Sequence, residues 1–481
     1  MLNTYLGQKG YTIVKKELTP EQIHYIERNL TITPVTQGAV KQQQTSYPVY
    51  RESPNKYYLP RYFGTNNFGP AKENKLAEGV DINVPFTSEL RDAQKPVVAT
   101  FLEYLEKNPD LGGGLLELPC AAGKTVISLH ICSQIKKKTL IIVHKEFLMN
   151  QWIERIGQFL PTARVGKIQG QIIDIENKDI VIGMLQSLSM KEYPASTFES
   201  FGLTIIDEVH HISSEVFSCA LFKLVTRYTL GLSATMNRKD GTTHVFKMFL
   251  GEVVYKGTRD EEHAVTVRAI DYVSGDEEFA EVVTDYRGNV QYSTMISKLC
   301  VYNRRSDFIL QVLTDMLHEN GKQQVMILAH NRNLLTYLYD AIKHRNIATV
   351  GYYLGGMKEP ALKESESKQV IIATYSMAAE ALDIKTLTTL IMATPKTDIE
   401  QAVGRILREK HGTPVVVDIV DEHSTFKNQW LKRKSFYKKQ NYRIIHGSNI
   451  GYTPDVTQWK TELVPKQIAG AGKCLISLKK K

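Results

Sequence analysis

Leu115 to Thr125 reads LLELPCAAGKT. An apolar run, Leu115, Leu116 and Leu118, ends in a turn of small residues that closes on Gly123-Lys124-Thr125. The stretch beyond it, VISLHICSQI, has helical spacing. Strand, tight turn and helix start make a phosphate loop, because backbone N–H groups at the turn and the helix N-terminus face an anion. Pro119, Cys120, Ala121, Ala122 and Gly123 would form its wall. The Lys124 ammonium would reach β- and γ-phosphates, and the Thr125 hydroxyl would ligate Mg²⁺. Leu118 stands where the G-x-x-x-x-G-K-S/T pattern has its first Gly. The tripeptide GKT by itself therefore leaves a chance helix start open.

Outward from this stretch, short apolar runs alternate with helical ones. Strand-like runs follow at 139–144 (TLIIVH), 179–185 (DIVIGML), 203–211 (LTIIDEVHH) and 230–235 (LGLSAT), with helical stretches such as FLMNQWIERIGQFL between them. The rhythm returns at 325–330 (VMILAH), 370–377 (VIIATYSM), 390–395 (LIMATP) and 414–421 (PVVVDIVD). Such alternation predicts parallel sheets covered on both faces. Two α/β lobes are expected, over 86–255 and 300–425. Residues 256–299 break the rhythm and read as a connector, and 426–481 as a basic C-terminal extension.

Residues 1–85 read as a separate accessory module rich in Tyr, Gln, Asn, Pro and Thr. Within it, YPVYRESPNKYYLPRYFG (47–64) interleaves aromatics with Arg51, Lys56 and Arg61. That mixture suits stacking on bases beside phosphate contacts, with Arg51 and Arg61 as the better contact candidates. The alternative is a small β-rich fold whose tyrosines pack its own core.

The 481 residues carry a formal charge of +9, which fits a polyanionic partner. The five cysteines are scattered, without C-x-x-C or His spacing. A disulfide framework or zinc site is not expected, and a reducing intracellular compartment is. The N-terminal stretch MLNTYLGQKG lacks an apolar signal core, and no run reaches membrane-span length.

Asp207-Glu208-Val209-His210 follows the apolar run Leu203 to Ile206. Acids at the end of a buried parallel strand lie at the carboxyl edge of the sheet, where ligands bind. Asp207 would hold Mg²⁺, and Glu208 would orient and deprotonate an attacking water. Ser233-Ala234-Thr235 follows another strand and offers hydroxyls to the acidic segment. In QAVGRILR, spacing of three to four puts Gln401, Arg405 and Arg408 on one helix face, where arginines can act as fingers on a γ-phosphate.

In order, the chain shows LRDAQ (90–94), PCAAGKT (119–125), VHKEFLMNQW (143–152), GMLQSL (183–188), DEVHH, LSAT, VMILAHN (325–331), ATYSMAAEALDI (373–384) and QAVGRILR. The series resembles the motifs of the superfamily 2 helicases. Within them it is similar to the XPB-type repair and transcription helicases and to their phage and large-DNA-virus relatives, the poxvirus transcript-release helicase among them. PCAAGKT resembles that family's LPCGAGKT variant, which accounts for Leu118. The resemblance implies two tandem RecA-like lobes and an ATP hydrolase that moves along nucleic acid, with ATP and Mg²⁺ as cofactors. It implies that Gln94 contacts the adenine with Arg91 nearby, and that Asp383 helps hold the nucleotide. Gln401, Arg405 and Arg408 would complete the ATP site. Gln151, Gln186, Ser187, Asn331 and Thr374 match segments that grip a nucleic-acid backbone. Two departures stand out: Ala381 replaces the usual Gly of its turn, and Arg238-Lys239-Asp240-Gly241 only partly resembles the XPB-type Arg-Glu-Asp element.

A DNA helicase or translocase is the expected function. A double-stranded DNA translocase without strand separation, an RNA or RNA–DNA hybrid helicase, a DNA-binding scaffold with a relic site, and the motor of a restriction or repair complex stand as alternatives. If the source is viral, host cytoplasm, viral factory or virion is the expected location, with transcription or repair machinery as partners. The basic stretch from Lys427 to Arg443 holds no acidic residue. It is expected to pack through Trp430 and Phe436 and to turn Lys432, Arg433 and Lys434 toward nucleic acid.

Overall fold

Thr139–Val143 is buried at every position. In the computed structural model, which describes residues 2–34, 46–119, 122–211, 215–236, 241–257, 264–380, 384–407, 412 and 414–465, this strand lies inside an eight-stranded sheet. Its residues divide between two cores. Ile141 and Val143 pack with Phe101, Leu129 and Trp152; Leu140 and Ile142 pack with Leu188, Phe246 and Leu250. A strand covered on both faces has to be apolar at successive positions, which is why it reads as a continuous run. In spatial order the sheet runs Ile172–Ile173, Val165–Gln169, Ile180–Met184, Thr139–Val143, Leu203–Ile206, Tyr228–Ser233, Gly113–Glu117 and Val253–Lys256. Its pairings are parallel except at the Ile172–Ile173 edge.

This sheet belongs to the first of two compact units, Met1–Arg259; the second is Asp260–Lys481. The N-terminal segment has its own five-stranded sheet, in the order Arg51–Ser53, Lys56–Leu59, Gly10–Val14, Thr4–Gly7, Glu73–Asn74. Tyr11, Tyr57, Ile13, Leu59 and Phe63 form its core with Ile26 and Leu30 of the helical segment. Tyr11 and Tyr57 thus pack the module's own core with Tyr50 against it, while Tyr47 joins a core of the large sheet. Arg61 is a correction: it is 2% exposed and meets no solvent-borne partner. Its guanidinium donates to the carbonyls of Asp110, Thr226 and Arg227, and the neighbouring Tyr62 hydroxyl donates to Gly113. These bonds fasten the module to the end of the large sheet within the same unit. Burial holds the Arg61 pKa down to about 10.

The second unit carries another eight-stranded sheet: Val350–Tyr353, Val370–Thr374, Gln324–Ala329, Leu387–Met392, Val415–Asp421, Thr266–Tyr272, Arg443–Ser448 and Lys460–Leu463. Two expected boundaries change. The segment read as a connector supplies Thr266–Tyr272, a strand paired in parallel on both sides. The segment read as an extension supplies the helix Ser424–Lys439 and two further strands. Arg268 disguised the first of these. A charge inside a strand argues against burial, but this guanidinium pairs at 2.7 Å with both carboxylate oxygens of Glu319. Among the described residues, no helix is long and apolar enough to cross a membrane.

A fully buried pair lies at the middle of this sheet. Arg305 and Asp421 are both fully buried; Arg305 Nη2 donates to Asp421 Oδ2 at 2.8 Å and Nη1 to the Ala393 carbonyl at 2.7 Å. Arg305→Met would strand the Asp421 carboxylate. Equilibrium denaturation of that variant is expected to lose about 3–5 kcal/mol. Arg305→Met with Asp421→Leu should recover most of it, since an apolar replacement of both partners removes the uncompensated charge.

Candidate active site

Gly113–Glu117 leads into the phosphate loop and Lys124–Ile135 leaves it as a helix. Cys120 and Ala121 lie outside the described residues. Gly123 takes φ +84°, the left-handed region open to glycine. A Cβ there would stand 2.3 Å from Gln94 Nε2 and 2.9 Å from Arg91 Nη2. Those two groups donate to the Ala122 carbonyl at 3.0 and 3.1 Å, and Gln94 Oε1 accepts from the Arg91 amide. Arg91 and Gln94 therefore brace the phosphate loop directly.

Strand Leu203–Ile206 delivers Asp207 and Glu208 to the same sheet edge. Lys124 Nζ stands 2.8 Å from Glu208 Oε1. Glu208 takes φ +51°, a left-handed conformation for a residue with a Cβ. Backbone strain of that kind concentrates at functional sites. Its Oε2 is buried and accepts no hydrogen bond. Asp207 accepts the indole N–H of Trp152 at Oδ2, 3.0 Å away. The two acids shift in opposite directions. Burial, then the Glu208 charge, raise the Asp207 pKa above the carboxylate range. Burial opposes ionisation of Glu208 too, but Lys124 foremost, with His210, holds it below that range.

Three histidines complete this edge. His210 Nδ1 is 3.0 Å from Ser233 Oγ, the first hydroxyl of the LSAT segment. The rings of His144 and His211 stack at 3.9 Å, and those of His210 and His211 stand 4.3 Å apart. So Ser233 does meet the acidic segment, through His210. Trp152, His144 and His211 were not singled out from the sequence. Trp152 sits at the apolar spacing of its helix, where core packing alone explains an aromatic.

A Mg²⁺ ion bound with a nucleotide uses one or two carboxylates plus phosphate oxygens and waters. One hydroxyl, Thr125, and one carboxylate, Asp207, beside a Glu208 oxygen that makes no hydrogen bond and has His210 Nδ1 3.4 Å away, fit that donor set. Among the described residues no cluster of three or more His, Cys, Asp or Glu forms an all-protein metal cage.

Other candidates lie as follows. Gln151 is half-buried on the helix Glu146–Phe159. Gln186 Nε2 donates to the His144 carbonyl, and Ser187 Oγ accepts from the Gly170 amide. Asn331 Nδ2 lies 3.3 Å from Ser297 Oγ, and Thr374 Oγ1 3.2 Å from Ser376 Oγ. Gln401 is on the short helix Glu400–Gly404, but Arg405 opens a 3₁₀ turn, Arg405–Leu407. The expected single helix face is therefore interrupted, because the tighter turn rotates successive side chains by a different angle. Arg405 Nε donates to the Ala378 carbonyl at 2.7 Å. Arg408, Asp383, Ala381 and Arg238-Lys239-Asp240 lie outside the described residues.

The basic helix needs a correction. Trp430 packs inward as expected, but so do Arg433 and Tyr437, while Phe436 is half-buried. Arg433 is fully buried and donates through Nε and Nη2 to Asp418 at 2.7 and 2.8 Å. Tyr437 donates to the same carboxylate. Lys434 pairs with Glu462. The exposed lysines of the helix are Lys427, Lys432, Lys438 and Lys439.

Comparison with known proteins follows this geometry. Residues 87–238 match the family model described as type III restriction enzyme, res subunit. The chain is 34% identical over 457 residues to "Putative ATP-dependent RNA helicase L396" of Acanthamoeba polyphaga mimivirus, covering 92% of this chain and 86% of that one. It is 29% identical over 363 residues to the African swine fever virus protein QP509L (Tick/Malawi isolate), of the same designation, covering 70% of each. Among solved structures, T4 UvsW aligns over 93% of this chain and 99% of that chain, at 17% identity and a TM-score of 0.36.

Gly123→Ala tests the loop geometry. A left-handed conformation costs a residue with a Cβ roughly 1–2 kcal/mol, and the added carbon also displaces Gln94 and Arg91. Titration with a fluorescent ATP analogue should show affinity weakened by about 10-fold or more, with far-UV circular dichroism unchanged.

Proposed function

Because the chain belongs to the superfamily 2 helicases, with relatives in large DNA viruses, and is an ATP-hydrolysing nucleic-acid helicase, we propose that Glu208 is the base of hydrolysis, that Thr125 and Asp207 hold Mg²⁺, and that the polymer is DNA. The Lys124–Glu208 bridge carries the reading of the base. A triphosphate seated on the loop brings several negative charges to Lys124 and competes for its ammonium. Glu208 then loses the cation that lowers its pKa and can accept a proton from the attacking water. Mg²⁺, when bound, supplies charge neutralisation on the β- and γ-phosphate oxygens.

Arg91, Gln94 and Asp383 act in this reading on the adenine side of the nucleotide. Gln401, Arg405 and Arg408 act on the charge that develops at the γ-phosphate. Gln151, Gln186, Ser187, Asn331 and Thr374 contact the strand, with Lys432 and its exposed neighbours adding sequence-independent phosphate contacts. The N-terminal module supports a further contact surface. One cross-strand row of its sheet runs Arg51, Tyr58, Thr12, Tyr5. Lys9 lies 5.2 Å over the Tyr58 ring, and Lys56 and Lys75 lie 5.1 and 4.6 Å over Tyr5.

DNA is preferred because the DEVH spelling is not that of the DEAD-box RNA helicases. The second reading, RNA, is favoured by the names that the two viral relatives carry. Strand displacement on directional DNA, RNA and hybrid forks decides between them: displacement on the DNA fork is expected, and displacement confined to RNA would install the second reading.

Glu208→Gln preserves shape and removes the base. ATP and Mg²⁺ binding should persist while turnover falls by about 10²–10⁴-fold. Near-normal turnover in this variant would remove Glu208 from the chemistry.

A further inference from the structure

The helix Glu146–Phe159 turns Leu148, Met149, Trp152 and Ile156 inward. The three aliphatic or thioether side chains need nothing beyond apolar neighbours. Trp152 needs more, because a buried indole N–H without an acceptor loses the hydrogen bond it made to water. A backbone carbonyl would satisfy it. Instead the N–H reaches Asp207 Oδ2 at 3.0 Å, while the ring itself is 2% exposed. The bond commits one oxygen of the carboxylate and leaves the other for a cation. It also limits rotation of a side chain that stands beside the charge of Glu208.

The same helix carries Gln151, the preceding residue, half-buried where Trp152 is fully buried. Adjacent residues on a helix point about 100° apart, so one turn faces the solvent side and the catalytic acid together. Any shift of this turn against the sheet would change the Trp152–Asp207 distance, since the indole is rigid and packed in the core.

We propose that Trp152 is a positioning residue, whose indole N–H orients the Asp207 carboxylate toward Mg²⁺ and, standing beside Gln151 on one helix turn, carries nucleic-acid engagement to the ATP site. The inference rests on the readings of Asp207 as the metal-holding acid and of Gln151 as a strand contact.

Trp152→Phe keeps an aromatic ring and removes the donor. Mg²⁺ titrations of ATP-analogue binding, read by fluorescence without turnover, should need about 10-fold more Mg²⁺ for half-saturation, the lower end of what an outer-shell partner of a metal ligand contributes. Analogue binding without Mg²⁺ and the denaturation midpoint should stay close to the parent. Nucleic-acid-stimulated turnover should fall more than basal turnover, with the KM for nucleic acid unchanged. An unchanged Mg²⁺ requirement and stimulation ratio would leave Trp152 as packing only and overturn the proposal. Asp207→Asn separates the two levels. If it too leaves the Mg²⁺ requirement unchanged, the reading of Asp207 fails and the inference with it. If it alone raises the requirement, only the inference fails. Gln151→Ala leaves the indole in place: lowered stimulation with a normal Mg²⁺ requirement supports the coupling, and unchanged stimulation overturns it.

Discussion

Parallel strands cannot be joined by a tight hairpin; each has to return across a face of the sheet before the next begins. That constraint organises the first unit. Each parallel strand of its large sheet ends at the same carboxyl edge. The phosphate loop follows Gly113–Glu117, Asp207 and Glu208 follow Leu203–Ile206, His144 follows Thr139–Val143, Gln186 follows Ile180–Met184, and Ser233 closes Tyr228–Ser233. Residues separated by more than a hundred positions meet there without any motif bringing them together. The returning helices cover both faces, so the central strands are largely apolar and the candidate reactive groups gather at the rim.

This explains how much was legible beforehand. Strands such as TLIIV announce themselves because burial on two faces leaves no alternation, and the acids stand where such runs stop. The phosphate loop, the acidic pair and Ser233 were readable for that reason. Trp152 was not, because its position in the helix satisfies an apolar stripe and nothing in the sequence marks an additional hydrogen bond. Nor was the 3₁₀ turn at Arg405, which ends a helix that spacing alone would have continued through Arg408.

The misread residues share one cause. Arg61, Arg268 and Arg433 are buried cations, and composition reads a cation as a surface contact. Arg433 looked uncompensated because no acid lies within its stretch, yet Asp418 on the neighbouring strand accepts two of its N–H groups. Arg61 donates through both Nη groups to carbonyls of residues 110, 226 and 227, far along the chain, while its buried Nε finds no acceptor. Glu319 does the same for Arg268 from a different helix. Guanidinium groups suit these places because their planar fork fills several acceptors at once. A local window sees the charge and not the acceptor, so it misassigned Arg61 and Arg433 and mistook the Arg268 strand for a connector.

Asp207 and Glu208 are adjacent in sequence and opposite in electrostatic state. Asp207 is held toward protonation by burial and by Glu208, while Glu208 is held ionised chiefly by Lys124. On the proposed reading, loading the site inverts both conditions. A divalent cation beside Asp207 favours its ionised form. Phosphates that draw Lys124 away remove the main support for Glu208 as a spectator anion, and its proton affinity rises. The residue that must bind metal gains charge as the residue that must take a proton gains basicity. A single lysine that can be shared between a carboxylate and a phosphate suffices for this exchange. On this reading the proton acceptor becomes available only as the nucleotide takes up Lys124, so base and substrate arrive together.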